Sequence, residues 1–205
     1  MICFTERGAW VCRRLFHKLR EAGGECEAVV PGRFLREEWK KEGMKEPGEE
    51  PLSQWTGRMF AEKRGMIFVS AAGIAVRAIA PWVRDKMTDP PVVSVDEGAQ
   101  FVIPLLSGHV GGANGLARRI AEWLRSTPVI TTATDVNGKF AVDLFASVYH
   151  MVITDRKEAK NISAAVLEGK HIGVFSDLPL KTLPEGFILG KHLEKNIQIT
   201  VNTEL

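Results

Sequence analysis

Cysteine is scarce in this sequence, and its apolar runs are too short to cross a membrane. The three cysteines, Cys3, Cys12 and Cys26, lie apart and form no Cys-x-x-Cys pair, which argues against a metal site. Isolated cysteines of this kind usually serve as small apolar residues of the core, and they stay reduced in the cytoplasm. Residues 1–7 lack the apolar core of a secretory signal. We therefore expect a cytoplasmic protein with no metal site and no membrane contact.

A strong charge of either sign is missing as well. The chain has 27 basic and 25 acidic residues, so its net charge of +2 gives no support for nucleic-acid binding. The sequence also lacks the Gly-Lys-Ser/Thr end of a P-loop and any Gly-x-Gly-x-x-Gly spacing. These absences disfavour a generic phosphate or nucleotide binder. A hydrophobic content of 45% and a charged content of 25% are typical of a globular protein.

Apolar runs and helical periodicity alternate along the first two thirds of the chain. Continuous apolar runs at 65–70 and 100–106 predict strands, and the spacing at 8–21 and 115–125 predicts helices. Strands that alternate with helices imply parallel pairing through right-handed crossovers. The turn at 96–98 predicts a local hairpin, so the sheet should be mixed. We expect an α/β fold with an open, mostly parallel, mixed sheet flanked by helices.

The pattern changes after Gly138. Residues 140–151 are apolar and helical in spacing, 171–175 predicts a strand, and 196–201 alternates like an edge strand. A chain of 205 residues suffices for two modest cores. We predict an N-terminal α/β domain at residues 1–138 and a second, small α/β unit at residues 139–205.

The most informative stretch is Ser107-Gly-His-Val-Gly-Gly-Ala-Asn114, which joins an apolar strand to a helix. Glycines let the backbone turn tightly and let a ligand approach closely. The first amides of the helix would then face the ligand, with the positive end of the helix dipole behind them. His109 adds a group that transfers protons near neutral pH. The stretch predicts an anion-binding loop, although tight packing of the helix on the sheet would also account for its glycines.

Two other strand ends carry unusual loops. Residues 70–77 place small residues at a turn and Arg77 about one helical turn later, while 131–137 offers three hydroxyls and Asp135. In open α/β sheets, ligands bind outside the carboxyl ends of the strands. We therefore expect these loops and the glycine-rich loop to converge on one crevice. Asp135 could instead cap a helix, and Glu97 could belong to a solvated turn.

Five stretches, in the same order along the chain, carry a resemblance to a known family. They are 69–81, 85–93, 95–97, 105–117 and 128–135, and the string Ser-Gly-His-x-Gly-Gly-Ala-Asn is the most specific part. In these stretches the sequence resembles the cobalt-precorrin-5A hydrolases of cobalamin biosynthesis, the CbiG family. Members of that family usually continue into a further C-terminal domain.

The resemblance implies a step in the anaerobic route to vitamin B12. The substrate would be a cobalt-containing, ring-contracted tetrapyrrole whose δ-lactone is hydrolysed, giving cobalt-precorrin-5B and acetaldehyde. The cobalt belongs to this small-molecule substrate, so no cofactor of the protein is implied. Partners would be a C-terminal domain or other enzymes of the pathway, and the oligomeric state stays open. The alternative is a non-catalytic tetrapyrrole-binding or regulatory module whose chemistry needs that absent domain.

Lactone hydrolysis requires an activated water, donors for the developing oxyanion and a proton for the leaving oxygen. We assign His109 as general base or acid, with Asp135 or Glu97 orienting it or assisting proton transfer. The amides of Gly111 and Gly112, or the Asn114 side chain, are candidate oxyanion donors. Ser107 is an alternative nucleophile. The residues expected to bind substrate are Gly73, Arg77, Ser107, Gly108, Gly111, Gly112, Asn114, Thr131, Thr132 and Thr134.

Overall fold

A five-stranded sheet organises the first part of the chain, in the spatial order β1-β2-β3-β4-β5. The first three strands are mutually parallel, β4 is antiparallel to β3, and β5 is parallel to β4. The register pairs Val92 with Leu106 and Val95 with Val102. The mixed sheet and the hairpin expected at 96–98 are therefore confirmed. The strands are β1 (Ile2–Cys3), β2 (Met66–Val69), β3 (Val92–Val95), β4 (Phe101–Leu106) and β5 (Thr127–Pro128).

The structure is a computed structural model in which the chain forms two compact units, Met1–Ile130 and a second unit that begins at Thr131. The boundary predicted at 138 lies within the second unit. Position 150 of the helix predicted at 140–151 and position 201 of the strand predicted at 196–201 lie outside the described residues. The described residues are 1–149, 151–180, 182–190 and 192–200.

Helices cover both faces of the five-stranded sheet. Because successive strand residues point to opposite faces, Ile67 and Val69 pack with α1 and α5, whereas Met66 and Phe68 pack with α3 and α4. Both faces of β2 are buried, which explains why its sequence is continuously apolar. The helices are α1 (Glu6–Glu21), α2 (Glu37–Glu42), α3 (Leu52–Ala61), α4 (Ala72–Ile79) and α5 (Ala113–Leu124).

The order in which the chain adds strands to the sheet reverses at β1. From β1 it runs through α1 to Val29, which forms an isolated parallel bridge with Ile2, and Val29 in turn bridges to Lys45. Val29 therefore pairs through two isolated bridges and not as part of a strand. The chain then crosses back through α3 to β2, on the other side of β1. Open α/β sheets bind ligands at such reversal points, outside the carboxyl ends of the strands.

Glu42, at the end of α2, ties that helix to α1. Its carboxylate accepts hydrogen bonds from Arg13 Nε at 2.8 Å and Arg13 Nη2 at 2.6 Å, and lies 3.1 Å from His17 Nε2. Arg13, and to a lesser extent His17, lowers the pKa of Glu42 from 4.5 to about 2. The ionised carboxylate is therefore favoured in the folded state.

Replacing Glu42 with glutamine is expected to lower the free energy of unfolding by about 1 kcal/mol at neutral pH. The pKa of this carboxyl is depressed on folding, so its contribution is present above pH 4.5 and is lost as the pH falls towards 2. Urea unfolding of both proteins between pH 7 and pH 3 measures the difference. The matched control is Glu21→Gln, which removes an exposed pair with Lys18. A difference that stays constant down to pH 3 would contradict this account.

The second unit contains a three-stranded parallel sheet in the order β7-β6-β8. Ile162 and Val166 of α8 pack on this sheet with Ile172, Val174 and Phe187. The edge strand expected from residue 196 is confirmed as β8, but β7 was not predicted because it is only three residues long. The elements are α6 (Ala133–Val136), α7 (Val142–Val148), α8 (Arg156–Leu167), β6 (Ile172–Ser176), β7 (Phe187–Leu189) and β8 (Asn196–Ile199).

The α/β class expected from the sequence is confirmed, with a mixed sheet in the first unit and a small parallel sheet in the second. Across the part of the chain that the structure describes, none of the helices combines the length and the hydropathy needed to span a bilayer.

Candidate functional site

The glycine-rich segment forms a closed loop between β4 and α5. Carbonyl groups of the loop accept hydrogen bonds from the first amides of the helix and so cap it from within. The Gly112 amide, which we expected to be available to an oxyanion, is used in this way. Among the described residues, the Gly111 amide has no hydrogen-bond partner. The three capping bonds run from Gly112 N to His109 O (3.0 Å), Ala113 N to Ser107 O (3.1 Å) and Asn114 N to Gly108 O (2.9 Å).

The geometry of this loop requires glycine at positions 111 and 112, and Gly108 lies close to the Asn114 side chain. Gly112 has a φ of +82°, in the left-handed region that favours glycine. A Cβ atom on Gly108 would lie 2.7 Å from Asn114 Oδ1, and one on Gly111 would lie 2.5 Å from Ser107 Cβ. The close packing of the loop thus accounts for these glycines, which is the alternative to ligand binding that the sequence pattern left open. It leaves the Gly111 amide without a hydrogen-bond partner among the described residues.

Ser107, the first residue of the loop, bonds the loop to the segment before β3. Its side chain is buried, and its Oγ donates a hydrogen bond to the Asp89 carbonyl at 2.8 Å. The hydroxyl proton is therefore engaged with a backbone oxygen, so a nucleophilic role for Ser107 would first have to break this bond. His109, two residues further on, is only partly buried and can be reached from solvent. We name this end of the sheet, defined by Asp89 and residues 107–114, the Ser107 edge, where edge means the end at which strands begin or stop and not an outer strand.

A second group of predicted residues lies where α4 begins. The N-cap residue Ala71 makes no side-chain capping bond, and the amides of Ala72 and Gly73 have no hydrogen-bond partner among the described residues. Arg77 is exposed and donates to the Gly73 carbonyl at 3.1 Å, so these two candidates are in direct contact. We name this end of the sheet, which includes Ser70 and the residues 71–73, the Ser70 edge.

The turn between β3 and β4 also lies at the Ser70 edge, because Ser70 N donates to the Val95 carbonyl at 2.9 Å. The Asp96 carboxylate closes this turn by accepting from the amides of Gly98 at 3.0 Å, Gln100 at 2.8 Å and Phe101 at 2.6 Å. Such a bonding pattern is typical of an aspartate that stabilises a turn. Glu97 is exposed at the tip.

The Ser70 edge and the Ser107 edge are opposite ends of the sheet. Ser70 bonds to Val95, the last residue of β3, whereas Ser107 bonds to Asp89, which precedes the first residue of β3. Between them lies the length of β3, about 10 Å for four residues. The expectation that loops 70–77 and 107–114 share one crevice is therefore wrong. The reason is that β4 runs antiparallel to β3, so its carboxyl end points the opposite way.

This topology separates the assigned roles into two groups. Glu97 cannot orient His109, because the two residues lie at opposite edges of the sheet. Gly73, Arg77 and Glu97 stay predictions as residues of the Ser70 edge. At the Ser107 edge, the predicted residues that the structure brings together are Ser107, Gly108, His109, Gly111, Gly112 and Asn114.

The third predicted loop begins the second unit. Thr131 is exposed, and Thr132 is the N-cap residue of α6. Thr134 is buried, and Asp135 lies in the first turn of the same helix, partly exposed. Their roles in substrate binding or in orienting His109 stay predictions.

Asp89 is the residue of the Ser107 edge that the sequence assignment missed. It lies in the stretch 85–93, which contributed to the family resemblance but received no role. An aspartate before two prolines, four residues after another aspartate, was the signal that could have found it. Its contact with Ser107 spans 18 residues of sequence and could not be read from local pattern.

Fold and loops together define a two-unit α/β protein whose glycine-rich turns lead from strands into helices. The sequence model of the family described as cobalamin synthesis G N-terminal matches residues 54–135. The model of the cobalamin biosynthesis central region matches residues 140–199. The chain belongs to this cobalamin-synthesis G (CbiG) family, and the resemblance stated from the sequence is confirmed.

Relatives with curated names support the same assignment. A protein of Salmonella typhimurium named cobalt-precorrin-5A hydrolase is 37% identical over 182 residues, which cover 88% of this chain and 48% of the relative. A protein of Priestia megaterium with the same name is 42% identical over 119 residues, covering 58% of this chain and 32% of the relative. The chain thus spans at most about half the length of these two relatives.

A solved structure shows the same fold. The crystal structure of a cobalamin biosynthesis protein G homolog from Sulfolobus solfataricus matches with a TM-score of 0.54 at 22% sequence identity. The match covers 97% of this chain and 58% of that protein. At this level of identity the similarity supports the α/β architecture only.

Proposed function

We propose that this chain acts in anaerobic cobalamin biosynthesis as a cobalt-precorrin-5A hydrolase. In this proposal the δ-lactone of the cobalt-bound macrocycle is opened, giving cobalt-precorrin-5B and releasing acetaldehyde. The observation that carries the proposal is the identity of 37% over 182 residues to a relative with that name. The family match over both units adds support.

The chemistry of lactone hydrolysis suits the Ser107 edge. A water oxygen attacks the lactone carbonyl carbon, the lactone C–O bond breaks, and the leaving oxygen becomes that of a secondary alcohol. Acetaldehyde then forms when this alcohol loses its O–H proton and its C–C bond to the macrocycle breaks; the electron pair of that bond passes to the ring, which takes up a proton. His109 is partly exposed at this edge and is proposed to transfer protons. The Gly111 amide, which lacks a partner among the described residues, supplies a donor for the developing oxyanion.

The proposal needs no resident cofactor. Cobalt enters as part of the substrate, and hydrolysis of an ester bond involves no change of oxidation state. The protein's task is then to bind the macrocycle, orient its lactone and assist the proton transfers.

The direct experiment is incubation of the purified chain with cobalt-precorrin-5A. We expect acetaldehyde to form in proportion to the lactone consumed, and a coupled alcohol dehydrogenase assay measures it. The visible spectrum of the macrocycle reports binding in the same cuvette. A chain that binds the macrocycle and leaves the lactone closed would support the alternative, a non-catalytic tetrapyrrole-binding module. Absence of both binding and turnover would reject both functions for this chain.

A further inference from the structure

The segment just before β3 contains a buried carboxylate that the proposed reaction does not use. Asp89 is 8% exposed, and its Oδ2 accepts hydrogen bonds from Arg84 N at 2.8 Å and Asp85 N at 3.1 Å. Its own amide donates to the Asp85 carbonyl at 2.8 Å. These bonds compensate for the burial of the charged group. The carboxylate therefore closes the turn 84–89 into one ordered unit.

This turn is bonded to the base of the glycine-rich loop. The Asp89 carbonyl accepts the Ser107 Oγ hydrogen bond at 2.8 Å, and the Ser107 carbonyl accepts from Ala113 N at 3.1 Å. A continuous series of hydrogen bonds thus runs from the Asp89 turn through Ser107 to the start of α5. His109 lies inside the segment that this series spans.

The conformation of Ser107 needs this support. Its φ of +56° lies in the left-handed region, which is strained for a residue other than glycine. Such a backbone persists only where surrounding contacts hold it. The bond from Oγ to Asp89 holds it from one side. Gly111 packs against it from the other, so closely that a Cβ added to Gly111 would lie 2.9 Å from the Ser107 carbonyl oxygen.

We propose that Asp89 is a positioning residue for His109, acting through Ser107 and the loop 107–112; this role rests on the proposed hydrolase function. Asp89 itself does not contact substrate. Its carboxylate keeps the turn 84–89 folded, the turn presents its carbonyl to Ser107, and Ser107 sets the loop conformation in which His109 meets the lactone. A displacement of about 1 Å in a catalytic group is enough to slow a reaction by about 100-fold.

Steady-state kinetics with cobalt-precorrin-5A measure this role. Asp89→Ala is expected to lower kcat by about 10- to 100-fold with little change in KM. Asp89→Asn keeps an oxygen acceptor for the two turn amides and is expected to recover most of kcat. When Asp89→Ala is combined with His109→Ala, no further loss beyond that of His109→Ala is expected, because both changes remove the same contribution.

The matched control is Asp155→Ala. Asp155 also accepts two backbone amides, those of Lys157 and Glu158, both at 2.9 Å, but it caps α8 in the second unit. This variant should leave kcat unchanged. Hydrogen exchange at the amides of Ala113 and Asn114, which bond to loop carbonyls, should become faster in Asp89→Ala and stay slow in Asp155→Ala.

Two results would overturn the proposal. The first is an unchanged kcat in Asp89→Ala. The second is that Asp89→Ala lowers kcat by the same factor in the wild-type chain and in the His109→Ala variant, which would indicate a general loss of folded protein. If Asp89→Ala fails to fold, Ser107→Gly replaces it, because glycine relieves the left-handed backbone while removing the bond to Asp89; its kcat should fall. A wild-type chain without turnover would reject the proposed function instead, and amide exchange would then decide whether Asp89 orders the loop.

Discussion

Replacement of His109 with alanine is expected to lower the turnover of cobalt-precorrin-5A by about 100-fold or more, the usual contribution of a general acid or base. His109 is the one titratable side chain in the segment 107–114. It lies partly exposed at the carboxyl end of β4, where loops commonly carry functional side chains on a rigid scaffold. Acetaldehyde release under saturating substrate measures the effect on kcat.

Two further variants separate proton transfer from other effects of this change. His109→Asn keeps a polar side chain of similar size that cannot titrate in this range, so it should lose as much activity as alanine. His171→Ala removes an exposed histidine just before β6 and should keep wild-type turnover. If His109→Ala opens the lactone at the wild-type rate, His109 is not part of the mechanism.

Periodicity and turn chemistry were sufficient to predict α1, β2, α5 and the β3–β4 hairpin of the first unit. The apolar run at 65–70 forms β2, where helices cover both faces of the sheet. The run at 100–106 forms β4, in which Val102 is fully buried and Phe101 is exposed. The turn at 96–98 correctly predicted an antiparallel pair. Its consequence for function follows from the same geometry: once β4 reverses, a loop at its carboxyl end cannot meet a loop at the carboxyl end of β2. The predicted hairpin was therefore itself the evidence against a single crevice.

The hydrogen bonding of the glycine-rich loop could not be predicted from the sequence. A strand, glycines and a helix N-terminus are compatible with free amides or with amides bonded to the loop's own carbonyls. The choice depends on left-handed backbone at Ser107 and Gly112, and serine gives little local signal for that conformation. It also depends on Asp89, a contact that only the folded sheet brings next to Ser107.

Substitution of Gly111 with alanine is expected to destabilise the first unit by about 1–3 kcal/mol, the usual cost of forcing an extra methyl group into packed structure. The new Cβ would lie 2.5 Å from Ser107 Cβ and 2.9 Å from the Ser107 carbonyl oxygen. These atoms belong to a residue held by its backbone, so a side-chain rotation cannot relieve the clash. Thermal unfolding should show a melting temperature lower by roughly 3–10 °C.

Gly115→Ala is the matched control, four residues further along the same segment. Gly115 lies within α5, and a Cβ there would meet nothing within 4 Å. Alanine is the better helix former, so this variant should be more stable by about 0.5–1 kcal/mol. If both substitutions raise the melting temperature, the loop is not packed tightly against Ser107. If only Gly111→Ala lowers it, and kcat falls with it, the backbone approach at Gly111 both maintains the loop and places His109.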